Sequence, residues 1–401
     1  MNKKLGLAVA GALVAFSSAA NAGITIPAGD WTVDIGGNVN AYYTHSSFSG
    51  AGAAAIADKN QISTGLLPSA LGIGAKTRQN DLDIAVQFTF FTGIDSSNGM
   101  GSSTNNSVGQ GAAGNGNTLN VRQAFLTVGD ASWGTIKAGR DLGVFGSDAI
   151  LSDMTLLGVG NGAGGAGNST LGRIGSGYVY ADWVGQFQYQ TPSWNGFQVT
   201  ASIREPYNST SAQTGAAVES KVGFDGKATY DFAANDVTGR VWVGGVSQEH
   251  NSATASANYT SEGVEVGAKA AYQGLGLVGY YYDGRGLDGQ HGSFGAGANL
   301  GGLMFSAGEK TKDSGGYVQA TFVVPTIGTK LGASWGVSNS QSANGTTFDK
   351  SSESWIVGAY HPLTKSLNLV AEYTNTKYEN SKATSTNFEQ DTFALGAILF
   401  F

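Results

Sequence analysis

Hydrophobic and polar residues alternate with a period of two along much of this chain. In residues 31–44 one face carries mainly Trp, Val, Ile and Tyr, whereas the other carries Thr, Asp and Asn. Residues 82–90 alternate in the same way, and the stretch 218–232 does so over 15 residues. This period is that of a β-strand with one apolar and one polar face. A strand as long as the last one suits a tilted membrane crossing better than a soluble sheet.

The pattern predicts eighteen strands arranged as successive hairpins. They lie at residues 31–44, 67–79, 81–93, 119–129, 133–140, 178–191, 196–205, 218–232, 236–249, 263–273, 275–284, 291–300, 303–311, 316–325, 330–339, 353–362, 366–378 and 391–401. Short turns such as Gln79-Asn80 alternate with loops of 20 residues or more at 45–65, 94–118 and 141–177. In 291–311 Gly replaces much of the packing face, so sixteen strands remain an alternative.

Short turns at one end and long loops at the other are typical of an outer-membrane barrel with lipid outside and water inside. A soluble β-sandwich array or β-helix would have to hide its apolar faces in a core. Here nearly every strand has one apolar and one polar face. We therefore predict an all-β fold, a transmembrane antiparallel β-barrel of 16 to 18 strands. No linker divides residues 23–401, which we expect to form a single domain.

The first 22 residues have the pattern of a secretory signal peptide. Lys3 and Lys4 precede the apolar run Leu5 to Phe16, and Ala20-Asn21-Ala22 supplies the small residues expected before a cleavage site. A helix of 12 residues rises roughly 18 Å, which is short of the roughly 30 Å needed to cross a bilayer. We expect this segment to be removed on export.

Composition excludes several functional classes. The 401 residues include 62 Gly and no Cys, so neither a disulfide framework nor a thiolate zinc site is possible. Removing Lys3 and Lys4 leaves 20 basic against 29 acidic residues, a net charge of −9, which argues against a nucleic-acid partner. The four His residues share no ligand spacing. The sequence predicts no cofactor and no metal site.

The end of the sequence carries a first resemblance. Residues Phe393, Leu395, Ala397, Leu399 and Phe401 occupy one face of the last predicted strand. This face resembles the assembly signal of Gram-negative outer-membrane proteins, in which a terminal Phe and alternating apolar positions are read by the barrel-assembly machinery. The resemblance implies insertion into outer-membrane lipid.

A second resemblance lies within the barrel sequence. Residues 121–128, VRQAFLTV, and 133–140, WGTIKAGR, are similar to a hairpin of the general porins of Gram-negative bacteria, and residues 188–197, QYQTPSWNGF, resemble a turn of the same proteins. The resemblance implies a homotrimeric, 16-stranded channel for passive diffusion of small hydrophilic solutes and ions. It also implies that the third extracellular loop folds into the lumen.

The loop at 141–177 is the candidate constriction. Its segment 146–157 contains apolar residues that we expect to pack against the inner wall, presenting Asp148 and Asp153 to the lumen. By the alternation, the wall offers the cations Lys76, Arg78, Arg122, Lys137, Arg204 and Arg240. The resemblance places Arg122 in a basic ladder facing the loop acids. Opposed charges across a narrow gap create a field that screens solutes. Alternatively, these charges only pair with one another.

The sequence is compatible with more than one ion selectivity and with two competing functions. Asp182 and Trp183 stand where general porins often hold an Arg, and the net charge of −9 favours a mild preference for cations or the accommodation of apolar solutes. A hydrolase built on a Ser with His250 or His291 is a formal competitor, although no sequence element proposes a triad. A non-conducting barrel that acts as an adhesin or structural protein is another.

Overall fold

The computed structural model describes residues 23–53, 57–94, 119–161, 169–206, 221–251, 258–287 and 310–401. Within these ranges 18 strands form one antiparallel sheet. They are β1 (Ile24–Ala28), β2 (Trp31–Ser49), β3 (Lys59–Ser63), β4 (Ser69–Gln79), β5 (Leu82–Thr92), β6 (Asn120–Asp130), β7 (Gly134–Leu142), β8 (Trp183–Gln190), β9 (Phe197–Arg204), β10 (Gly223–Ala234), β11 (Val237–His250), β12 (Tyr259–Tyr272), β13 (Leu275–Arg285), β14 (Lys312–Val323), β15 (Lys330–Gln341), β16 (Asp349–Pro362), β17 (Leu367–Asn380) and β18 (Phe388–Phe400).

Sixteen of these strands, β2 and β4 to β18, close into a ring in which β18 pairs with β2. The other two strands lie beside β2, which at 19 residues is longer than either of its neighbours in the ring. β1 pairs with residues 31–35 of β2, and β3 pairs with residues 42–46. The two short strands thus cover edges of β2 that its neighbours leave unpaired. The predicted barrel of 16 to 18 strands is confirmed.

The strand prediction differs from the structure in three places. β1 and β3 are not predicted, because five residues are too few to show a clear alternation. The predicted strands 291–300 and 303–311 fall almost entirely outside the described residues, and the ring closes without them because β13 pairs directly with β14. The strand predicted at 178–191 begins only at Trp183, since the preceding residues belong to a loop.

Asn and Asp residues form the short turns at one end of the barrel. Asn80, Asp81, Asn195 and Asn235 have φ angles of 47°, 61°, 51° and 54°. These residue types tolerate the left-handed conformation that a tight turn needs. The longer connections begin at the opposite ends of these strands, which form the extracellular end in barrels of this kind.

The two faces of the wall differ as the alternation predicts. In β12, Val264 and Val266 point outward and are 61% and 53% exposed, whereas Glu265 between them points inward and is buried. An apolar outer face is solvated by lipid, and a polar inner face by water or by a polar insert.

The described parts of the connection from β7 to β8, residues 143–161 and 169–182, are called L3 here and fold into the lumen. L3 contains a one-turn helix, α1 (Ser147–Ile150), and a 3-10 helix at Met154–Leu157. Two buried apolar clusters join L3 to the inner wall, one around Phe145, Ile150 and Tyr178 and the other around Met154 and Val159. The predicted inward fold of the third extracellular loop is confirmed.

Two further 3-10 helices lie at Ala51–Ala53 and Thr384–Thr386. None of the helices among the described residues is long and apolar enough to cross a membrane.

Candidate functional site

L3 crosses the barrel and is held by the wall opposite its own attachment. The backbone N–H of Gly146 donates to Glu265 of β12 at 2.9 Å, and Tyr317 of β14 donates to the carbonyl of Ala149 at 2.8 Å. These wall groups satisfy backbone atoms that a buried loop would otherwise leave unpaired. L3 is therefore fixed on the far side of the lumen rather than free in water.

Residues 157–160 form the tip of L3, which is bound by side chains of β2 and β17, with a further contribution from β16. Glu372 accepts hydrogen bonds from the backbone N–H groups of Val159 and Gly160 at 2.7 and 2.8 Å. Tyr360 donates to the other oxygen of that carboxylate at 2.6 Å, and Tyr42 donates to the carbonyl of Leu157 at 2.7 Å. The carboxylate is thus an acceptor for three donors, which orients the tip.

Asp153, predicted to face the pore, lies inside the fold of L3. Its side chain is 3% exposed and accepts from the backbone N–H of Thr155 at 2.9 Å and from the Tyr178 hydroxyl at 2.8 Å. The buried guanidinium of Arg173, close to it in L3, donates to Ser334 and Ser354 of the wall. Asp153 therefore acts as a cap for the 3-10 helix and as part of the L3 core.

Asp148 joins L3 to the cations of β10 and β11. Its oxygens lie 2.5 Å from Nζ of Lys227 and 3.0 Å from a guanidinium nitrogen of Arg240, which also contacts Asp231 at 2.6 Å. Burial raises the pKa of Asp148, but the charges and hydrogen bonds of Lys227 and Arg240 outweigh it and lower the pKa to about 2. The aspartate is ionised at all physiological pH values.

The structure thus differs from the expectation that Asp148 and Asp153 face Arg122 across an open gap. Asp148 turns to the wall at β10 and β11, and Asp153 turns into L3 itself. A lone carboxylate under a loop would be costly, so each is paired or hydrogen-bonded where it is buried. Of the six predicted cations, Arg240 is the one that forms an ion pair with Asp148 among the described residues.

A cavity of about 180 Å³, called the L3 cavity here, lies between L3 and the wall of β5 to β9. Arg122 and Lys137 both line it. The guanidinium carbon of Arg122 lies 5.1 Å from the centroid of the Phe91 ring. Lys137 reaches along β7, past Gly139, to the carboxylate of Asp141, which also accepts from Gln123 at 2.9 Å. Two of the predicted cations thus share this cavity.

The other predicted cations lie elsewhere. Lys76 pairs with Asp34 at 2.8 Å, and Arg78 pairs with Asp83 and Asp130, all near the short turns. Arg204 and Asp225 form a fully buried pair at 2.9 Å near the extracellular end of β9. Alternation indicates which side chains face inward, but it gives no information on their height along the barrel axis. It therefore grouped cations that lie at different heights.

Asp182 ends L3 beside the L3 cavity. It adopts a φ of 53° and accepts from the backbone N–H of Trp183 at 2.6 Å. Burial raises its pKa to about 6, although that hydrogen bond and the charges of Arg122 and Arg140 act in the opposite direction. Its charge therefore changes near neutral pH.

The sequence-based prediction missed four residues that position L3: Lys227, Glu265, Glu372 and Arg173. The signal for three of them was present. Lys227 lies on the polar face of the strand predicted at 218–232, and Glu265 and Glu372 are carboxylates at inward-facing positions of the strands predicted at 263–273 and 366–378. Arg173 lies in a Gly-rich stretch without any period, so no pattern marks it.

His250, one of the two histidines of the competing hydrolase hypothesis, lies beside a serine. Nε2 of His250 lies 2.7 Å from the Ser261 hydroxyl, which itself donates to the carbonyl of Gly286 at 2.7 Å. Ser261 is fully buried and His250 is 3% exposed. This hydroxyl directs its proton to a carbonyl and has no access to a substrate. His291 lies outside the described residues.

The assembly face predicted at the end of the chain points away from the lumen. Phe393, Leu395, Leu399 and Phe401 are 44%, 54%, 40% and 37% exposed. Phe401 also exchanges backbone hydrogen bonds with Gly37 of β2 at 2.9 and 3.0 Å.

Comparison with known proteins gives one family. A family model described as Gram-negative porin matches residues 8–381. The comparison with curated proteins yields no match.

Solved structures of similar fold are outer-membrane proteins. The outer membrane channel DcaP of Acinetobacter baumannii has 15% identity and a TM-score of 0.63, with 94% of this chain and 99% of that one covered. An anion-selective porin from Comamonas acidovorans has 14% identity and a TM-score of 0.60, covering 92% and 100%. A trimer form of OmpT of Vibrio cholerae has 14% identity and a TM-score of 0.52, covering 92% and 99%. The chain belongs to the Gram-negative porin family and is an outer-membrane channel for passive diffusion of small solutes.

Proposed function

We propose that small hydrophilic solutes and ions cross this porin through the part of the lumen between L3 and strands β5 to β9. The observation that carries the proposal is the anchoring of L3 to the opposite wall, from β12 to β17. Anchoring there leaves the wall of β5 to β9 facing the passage. Arg122, Lys137, Asp141 and Lys227 line this passage and form its charged constriction.

A planar-bilayer recording of the purified protein tests this proposal. We expect stepwise increases of conductance in 1 M KCl and a reversal potential under a salt gradient that reports selectivity. The acidic composition predicts a mild preference for cations, and local charges at the constriction oppose it. Since charges more than roughly 10 Å apart are screened at 0.1 M salt, dilute salt is the sensitive condition. Silent insertions at every voltage would contradict the proposal and favour the adhesin or structural alternative.

Four further expectations accompany this proposal. The trimer form of a similar structure and the apolar outer wall favour a homotrimer in outer-membrane lipid. Residues 1–22 would direct export, and the face that includes Phe393 and Phe401 would direct insertion by the barrel-assembly machinery. The enclosed Ser261 argues for a channel without hydrolase activity.

A further inference from the structure

The chain between β3 and β4, residues 64–68, leaves the barrel wall and is called the inner segment here. β3 and β4 both pair with β2, so that Tyr42 faces Ser63 and Asn38 faces Ala70. Four steps along β2 therefore correspond to seven steps on the partner side, which is three residues more than a regular ladder holds. The inner segment accommodates these additional residues as a large bulge.

The bulge turns toward the lumen and contacts L3 there. The backbone N–H of Leu66 donates to the carbonyl of Gly158 at 2.8 Å, and the carbonyl of Gly65 accepts from the N–H of Thr170 at 3.0 Å. Residues 66–68 line the L3 cavity. This cavity is thus bounded by three parts of the chain, which are the barrel wall, L3 and the inner segment.

A single side chain of β2 replaces the ladder that the bulge interrupts. Asn40 lies on the inner face of β2 between the two pairs described above, and it is 1% exposed. Its amide oxygen accepts from the N–H of Gly65 at 2.9 Å, and its NH₂ group donates to the carbonyl of Leu67 at 2.8 Å. The side chain therefore offers one acceptor and one donor, as the peptide group of a neighbouring strand does.

Gly65 allows the inner segment to lie directly on the tip of L3. A Cβ atom at this position would lie 2.1 Å from the carbonyl oxygen of Gly158 and 2.7 Å from a ring atom of Tyr42. The first of these contacts is with backbone, so no rotation of a side chain relieves it. A larger residue at position 65 must therefore separate the inner segment from L3.

We propose that the inner segment is a second constriction element beside L3, and that Asn40 is the residue that positions it. The proposal rests on the proposed function, because the inner segment limits transport only if solutes cross through the passage beside it. Residues 64–68 carry no charge, so they act on the size of a solute rather than on its sign. Displacement of the inner segment widens the passage.

Replacing Asn40 tests this positioning role. Asn40→Ala removes both hydrogen bonds to the inner segment, which should then be displaced roughly tenfold more often. Liposome swelling with uncharged sugars measures the consequence, and we expect the rate for raffinose relative to arabinose to rise. Asn368→Ala, at an inward-facing position of β17 two strands away, is the matched control and should leave this ratio unchanged. A role in stability alone would lower the unfolding temperature of Asn40→Ala without changing the ratio.

A second pair of variants displaces the inner segment by steric contact. Gly65→Ala should raise the sugar ratio in the same direction as Asn40→Ala, and it carries the test if Asn40→Ala does not fold. Gly279→Ala is its control, because a Cβ at this outward-facing position meets no atom within 4 Å. Hydrogen exchange of the inner segment, measured by mass spectrometry on the folded protein in detergent, reports displacement independently of conduction and should be faster in both test variants.

The outcomes separate this proposal from the proposed function. An unchanged sugar ratio in the folded test variants overturns the constriction role and leaves the channel intact. Equal exchange in Asn40→Ala and Asn368→Ala overturns the positioning by Asn40. Faster exchange in a protein whose vesicles never swell contradicts the proposed passage, whereas the positioning by Asn40 stands.

Discussion

At the scale of single residues, replacing Asp148 tests how its charge compensates the two cations that it contacts. Asp148→Asn removes the counter-charge that Lys227 and Arg240 share, whereas Arg240 keeps its ion pair with Asp231. We expect the reversal potential to shift toward anions, more strongly in dilute salt. Loss of hydrogen bonds to a charged group should also destabilise the L3 contact by about 2 kcal/mol. Reversal potentials and the unfolding temperature of the barrel measure the two effects.

Two other aspartates serve as controls. Asp231→Asn removes a half-exposed partner of Arg240 without touching L3, so it should change stability little. Asp153→Asn perturbs the inside of L3 and should lower stability with a smaller shift of selectivity, because its bonds are mainly to neutral donors. If Asp148→Asn keeps the parent's reversal potential in dilute salt, its charge does not reach the passage.

At the scale of elements, the wall carboxylate Glu372 holds the tip of L3. Glu372→Gln replaces one acceptor oxygen by a donor NH₂ group, so the side chain can no longer accept from the Val159 and Gly160 N–H groups and from the Tyr360 hydroxyl at the same time. We expect the tip to loosen, so the open-channel current should become noisier while the barrel still forms. Single-channel noise spectra measure this. Glu353→Gln on the outer face provides the control, and equal noise in both variants would show that Glu372 does not position L3.

The alternation of the sequence predicted the strands of the ring but left their number between 16 and 18. The apolar content of L3, together with the family resemblance, predicted its inward fold. The alternation could not predict which charges meet. Lys76 and Arg122 share the inner face, yet the first lies near the short turns and the second beside the L3 cavity. Strand tilt and stagger set these heights. The path of L3 decides which cation Asp148 contacts, and this path depends on distant partners such as Glu265 and Tyr317.

At the scale of the whole molecule, Phe401 tests how the barrel is inserted. Phe401→Ala keeps the backbone hydrogen bonds to Gly37 but removes the ring from the outward face. If the face is read as an assembly signal, the yield in the outer membrane should fall several-fold. The purified variant, refolded in detergent, should remain a stable barrel. Normal yield in the outer membrane would contradict the role, and failure to refold would assign the ring to stability instead. Quantitative blots of outer-membrane fractions measure the yield.

The path of L3 also has a consequence for the order in which the chain folds. The ring closes where β18 meets β2, and there the Ser46 and Thr392 hydroxyls bond across 346 positions of sequence. L3 bonds to both sides of this seam, through Tyr42 on β2 and Glu372 on β17. Contacts so distant in sequence form late, because a long loop of chain must close first. The last step of closure therefore brings the seam and the tip of L3 together, so that the wall and its insert complete their folding as one event.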